Sequence, residues 1–201
     1  MGRQNRSGPQ EALAQEAARL ICEERLIDYR AAKLKALQRL GLGPHTPLPD
    51  NAHVRDAVLE YQQLFGGDEY TAHLSALRRT ALQAINLLAE FQPRLVGGAV
   101  SGAVTTAHRV QLHAFSEKPE SLDLFLQSHG IPFEQDERNY RYSDGRERTI
   151  PLACFEAGDI GVDVAMFAID DQRHAPLDPA EGVAYKRLDL HAAEKLGSTI
   201  S

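Results

Sequence analysis

Residues 94–116 read RLVGGAVSGAVTTAHRVQLHAFS, and this stretch decides the fold. Leu95-Val96 reads as a short apolar strand, Gly97-Gly98 as a turn, the next residues as a brief helix and residues 109–115 as a second strand. Adjacent glycines after a strand let the backbone turn with no Cβ in the way. A helix that follows presents unpaired N–H groups suited to phosphate. Side chains alternate faces along a strand. Gln111, His113 and Phe115 therefore share one face of the second strand, and Val110, Leu112 and Ala114 the other.

Pro93 bounds the stretch on its N-terminal side, because proline disfavours helix at the preceding residue. Upstream the spacing predicts three helices. The first spans residues 10–40, with Leu13, Ala17, Leu20, Ile27, Ala31 and Leu34 on its stripe, and stops at Gly41-Leu42-Gly43-Pro44. Its second half carries Arg30, Lys33, Lys35 and Arg39. These cations read either as a solvated face favouring the helix dipole or as a patch for RNA or nucleotide phosphates. Asp50 or Asn51 caps a second helix reaching Phe65, with Val54, Val58, Tyr61 and Phe65 as its apolar side. A third covers residues 69–91, with Leu74, Leu77, Ala81, Ile85 and Leu88 on its stripe.

Downstream, Pro119 opens a helix that carries Leu122, Phe125 and Leu126 and stops at Gly130, with His129 as an end residue. Residues 133–142 and 147–155 form a hairpin across Ser143-Asp144-Gly145-Arg146, since Asp-Gly favours a tight turn. Tyr140 and Tyr142 on that hairpin read as cross-strand packing or as a base-stacking face. Gly158 to Gly161 turns into a strand bearing Asp163, and Asp189 caps a short helix near the end.

A chain of 201 residues suffices for a substantial core, and 43% hydrophobic with 25% charged residues is ordinary for a globular protein. A formal charge of -6 argues against broad nonspecific nucleic-acid binding. No apolar run is long enough to span a membrane, and the start MGRQNRSGPQ has no signal-peptide core. A cytoplasmic protein without a membrane partner is expected. Cys22 and Cys154 form no CxxC pair and read as buried free thiols. The eight histidines include no HExxH pair, and the run from Gly97 to Gly102 has neither Gly-x-Ser-x-Gly nor a Gly-Lys-Ser/Thr end.

The opening stretch resembles the start of the nucleotidyltransferase fold shared by DNA polymerase beta and tRNA CCA-adding enzymes. In that superfamily a strand ends in Gly-Gly or Gly-Ser, a short helix follows, and the next strand carries Asp-x-Asp. The CCA-adding version begins Gly-Gly-Ala-Val, as Gly97-Gly98-Ala99-Val100 does. Its spacing puts the two Asp positions on Gln111 and His113, and GVDVAMF at 161–167 looks like the strand that supplies a third acid, Asp163. Ser101-Gly102 replaces the usual Arg-Asp. The resemblance covers roughly residues 91–168 and implies a degenerate member of a bacterial type. The expected fold class is α+β, an N-terminal helical region packed on a nucleotidyltransferase-like mixed β-sheet with flanking helices. The expected divisions are a flexible, positively charged tail at 1–9, the helical region at 10–92, the core at 93–170 and an extension with a short helix at 171–201.

Nucleotidyl transfer uses two Mg²⁺ ions held by paired carboxylates, and Mg²⁺ wants oxygen ligands. Gln111 offers one neutral oxygen, and His113 offers nitrogen, which suits transition metals. Asp163 is then the one candidate catalytic residue and, with His113, a candidate metal ligand. The expected function is binding of a nucleotide or phosphorylated small molecule without efficient catalysis. Gly97, Gly98, Ser101, Gln111 and His113 are its candidate ligand-binding residues. One alternative is an active transferase with a rearranged metal site, for which Mg²⁺ or Mn²⁺ would be the cofactor. Another is a protein–protein or regulatory scaffold. Gln111, His113 and Asp163 are expected to project from one sheet face into a common cleft.

Overall fold

The computed structural model describes residues 8–179 and 182–197. The chain forms two compact units. One holds the chain up to Thr71 with Ala103–Ala107 and Pro179–Gly182; the other holds Ala72–Gly102, His108–Asp178 and the chain from Val183.

The first unit is built on three helices, α1 (Gly8–Glu24), α2 (Tyr29–Arg39) and α3 (Asn51–Phe65). Residues 1–7 of the expected tail lie outside the described residues, and Gly8 and Pro9 begin α1, where a proline lacking its N–H costs nothing. The single helix expected over 10–40 is two. Arg25 takes a left-handed φ of 57°, and the Asp28 carboxylate accepts from the amides of Arg30 and Ala31 at 2.7 and 3.2 Å, starting a new helix. The interruption resets the phase of the apolar stripe. Ala32, Lys33 and Ala36 are buried in α2, whereas Ile27 and Leu34 are 59% and 44% exposed. Leu13, Ala17, Leu20 and Ile21 of α1 pack with Ala32, Ala36, Val54 and Val58 into the unit's core. Asp50 caps α3 by accepting from the His53 amide at 2.6 Å.

The second unit is organised on a sheet. Helix α4 (Gly67–Leu87) runs into it with Leu74, Leu77, Ala81 and Ile85 buried, and a 3₁₀ turn (Ala89–Phe91) follows. Then come β1 (Arg94–Val96), α5 (Gly98–Ser101), β2 (Val110–Phe115), α6 (Ser121–Ser128), β3 (Glu134–Arg141), β4 (Glu147–Ala157), β5 (Ile160–Phe167) and α7 (Leu190–Gly197). The five strands lie in the order β1-β2-β5-β4-β3, with β2 and β5 parallel and the other pairs antiparallel. The fold class is α+β with a mixed sheet. Leu122 and Leu126 bury one side of α6, and the His129 ring stacks on Phe125 with centroids 4.0 Å apart. Asp189 caps α7 through the Ala192 amide at 2.9 Å. Outside the named strands, Leu188 bridges to Leu95 along the free edge of β1.

Register fixes the faces, because directly paired residues project to the same side. Gln111 pairs with Asp163, His113 with Ala165 and Phe115 with Phe167, and Cys154 and Leu152 of β4 continue the same rows. On that face Phe115, Tyr140, Tyr142, Ile150, Leu152, Ala165, Phe167 and Tyr185 form a buried cluster. Tyr140 and Tyr142 are thus core residues with exposed Arg141 between them, not a base-stacking face. No helix among the described residues is long and apolar enough to cross a membrane.

Candidate functional site

The glycine turn is tied to the strand that follows it. Gly97 sits at φ 71°, ψ −144°, a conformation open essentially to glycine alone. Antiparallel pairing of Val96 with Gln111 brings the Gln111 carboxamide onto this turn, and a Cβ at Gly97 would collide with its Oε1. The short helix uses most of its own amides. Val100 and Ser101 donate to the Gly97 carbonyl at 3.0 and 3.1 Å, and Gly102 donates to that of Gly98 at 2.7 Å. Among the described residues the first-turn amides of Gly98 and Ala99 make no such bond. The Ser101 hydroxyl turns back to the Gly98 carbonyl at 3.4 Å.

Beside Gln111 on the same face, Asp163 is held by two guanidiniums. Arg109 Nε donates to its Oδ1 at 2.6 Å, and Arg138 Nη2 lies 3.4 Å from its Oδ2. Arg109 also donates through Nη1 to Glu156 at 2.6 Å and through Nη2 to the Phe155 carbonyl at 3.2 Å. Burial lowers the Arg109 pKa, but its bonds to Glu156 and Asp163 outweigh this and hold it above the ordinary value. The guanidinium lies across Gly161, where a Cβ would strike Nη1. The Asp163 side chain is 11% exposed, while those of Arg109 and Arg138 are 35% and 36% exposed. Cys154, paired with Asp163 across the sheet, has its thiol pushed up to about 11, mainly by burial.

The remaining candidate, His113, points to the same face but lies at its dry end. It is 1% exposed, and its ring is enclosed by Phe167, Tyr185 and Tyr140 at centroid distances of 4.6, 4.9 and 5.4 Å. Arg187 Nε donates to His113 Nδ1 at 3.0 Å, so Nε2 carries the proton, and among the described residues this buried nitrogen has no acceptor. Burial, with Arg187 and then Arg138 adding repulsion, holds the imidazole pKa well below its usual value. Gln111, His113 and Asp163 therefore share a face, but not an open cleft. Asp163 pairs with arginines and His113 accepts from one. Among the described residues no three His, Cys, Asp or Glu side chains are grouped to hold a metal ion.

Arg138, Arg187, Tyr185 and Glu156 escape a sequence reading, because each comes to the face through sheet register or through the extension. Arg109 could have been found, since it is two residues before Gln111 on the same alternation. The cations considered for RNA are largely occupied. Lys33 donates to the Pro49 carbonyl and Asn51 at 3.1 and 2.6 Å, and Lys35 and Arg39 both pair with Glu24. The chain matches no family model, no curated protein and no solved structure.

Proposed function

We propose that this chain is a nucleotidyltransferase-like protein with a degenerate metal site, which binds a nucleotide or another phosphate-bearing ligand at the Gly97-Gly98 turn without efficient catalysis. One observation carries this reading: pairing of Val96 with Gln111, and of Gln111 with Asp163, draws together the turn and the first and third acid positions of the resemblance. The lack of catalysis follows from what occupies those positions. Gln111 and His113 are neutral, and both oxygens of Asp163 face guanidiniums instead of open space for Mg²⁺.

The test is a thermal-shift series with ATP, CTP, GTP and UTP, each in EDTA and in millimolar Mn²⁺. Stabilisation of the same size in both conditions is expected. A site filled to a hundred times Kd raises stability by about 2.7 kcal/mol. Stabilisation that requires metal would favour the active transferase, and none with any nucleotide would favour an interaction scaffold.

A further inference from the structure

The charged end of the sheet face suggests how such a ligand would be held without metal. Arg109 and Arg138 converge on one carboxylate, yet each of the two side chains remains about one third exposed. Their two contacts are unequal. Arg109 is close to Asp163, whereas the 3.4 Å contact of Arg138 is well beyond the 2.7–2.9 Å of a tight charge-assisted bond. The second acid on Arg109, Glu156, is 60% exposed, and solvent screens that pair. Glycine at 161 leaves room for the Arg109 guanidinium to lie against the strand. Gln111, opposite Asp163 in the register, adds a neutral carboxamide between this cluster and the glycine turn.

We propose that Arg109 and Arg138 form a metal-independent seat for a phosphate-type oxyanion, and that Asp163 is a built-in competitor which the ligand displaces. A guanidinium presents its N–H donors in a planar fork that fits phosphate oxygens as well as carboxylate oxygens. In the free protein Asp163 neutralises the fork. A phosphate group entering beside the turn takes over the looser Arg138 first, then shares Arg109. The third acid position, which holds a metal in the enzymes this chain resembles, here restrains the cations that replace the metal. The inference rests on the binding reading above and names its ligand chemistry as a di- or triphosphate group.

The experiment is calorimetric titration of pyrophosphate into the full chain in EDTA, paired with melting curves, for wild type, Asp163→Asn, Glu156→Gln and Arg138→Gln. Asp163→Asn keeps the shape and removes the competing charge. It is expected to bind pyrophosphate at least tenfold more tightly than wild type, to melt lower in plain buffer and to recover more in millimolar pyrophosphate. Arg138→Gln is expected to weaken binding at least tenfold. Glu156→Gln, at an exposed position that leaves the fold alone, is expected to tighten binding about threefold and serves if Asp163→Asn does not fold. All gains should shrink as salt rises from 50 to 500 mM. Unchanged or weaker binding in Asp163→Asn and Glu156→Gln would overturn the seat, leaving a purely structural ion-pair network. If nucleotides stabilise wild type while these variants gain nothing, the seat falls and the binding reading stands. If only pyrophosphate binds, with the expected gains, the seat stands and the nucleotide reading falls.

Discussion

Two arginines, Arg109 and Arg187, reach onto the same face of one sheet and meet opposite surroundings. Arg109 is bonded to two carboxylates and open to water on one side. Among the described residues Arg187 makes no hydrogen bond to a carboxylate. It lies 5.0 Å from the ring centroids of both Phe115 and Phe167, donates to His113 Nδ1 and donates to the carbonyls of Asp171 and Gln172. Among the described residues its buried Nη2 has no acceptor, and burial pushes its pKa down to about 10. A cation in the wet setting can exchange one anion for another at small cost, because water covers the intermediate. One in the dry setting is fixed, because every contact it gives up leaves a buried group unsatisfied. The same residue type on the same face therefore makes a candidate ligand site at one end and a structural pin at the other.

The largest effect should come from removing the dry pin. Arg187→Ala leaves the His113 nitrogen and two backbone carbonyls without their donor and opens a cavity over two phenyl rings. A loss of roughly 3 kcal/mol is expected, seen as a melting temperature about 6–12 °C lower. A drop of about 1 °C or less would show that the aromatic end does not depend on the arginine.

Next in size is the glycine turn beside the wet end, which packs on Gln111. Gly97→Ala forces an alanine into a positive-φ conformation and against Gln111 Oε1, at a cost of roughly 2 kcal/mol. Chemical denaturation should show an unchanged m-value with a lower midpoint. Full retention of stability would mean that the turn relaxes freely, and the pairing of turn with strand would lose its importance.

The dry end should also leave a pH signature. His113 is neutral in the folded state, with its pKa held well below 6.5, while in the unfolded chain it titrates near 6.5. Below that pH the unfolded state binds the extra proton, so stability is full above about pH 6.5 and falls on acidification by up to about 1.4 kcal/mol per pH unit. Unfolding free energies of wild type and His113→Gln, measured from pH 7.5 to 5, isolate this slope, since glutamine can still accept from Arg187. The carboxylates with lowered pKa, Glu16, Glu24 and Asp144, lose their contributions at lower pH, outside this window. Parallel pH curves for the two proteins would remove His113 as the source.

The smallest effect belongs to the wet end. Gly161→Ala pushes the Arg109 guanidinium away from Asp163, and because the pair is partly solvated the loss should be about 1 kcal/mol or less. The difference from wild type should shrink further in 1 M NaCl. A loss as large as that of Arg187→Ala would make both ends equally structural and erase the contrast.

Much of the local structure was legible. Adjacent glycines marked the turn, Asp144-Gly145 marked the hairpin, Asp50 and Asp189 marked helix starts, and period-two alternation put Gln111 and His113 on one face. These follow from backbone sterics and short-range hydrogen bonds, which depend on neighbours in the chain. The break at Arg25 was hidden inside a helical pattern, because a one-turn interruption changes the phase of the stripe without changing its composition.

What the sequence alone determined was thus the kind of element at most positions and the face each strand residue takes. Which residues meet across the sheet was decided by tertiary structure. Arg109 immediately precedes β2, Arg138 lies on β3 and Glu156 on β4, and only register carries the first two to Asp163 and the third to Arg109. Arg187 lies 74 positions from His113 and becomes its partner because residues 183–188 fold back to bridge β1 at Leu95. Whether His113 is open or sealed depends on the burial of its surroundings, and burial is set by contacts distant in the chain. Alternation can place His113 on a face, but only the packed fold fixes the polarity of that end.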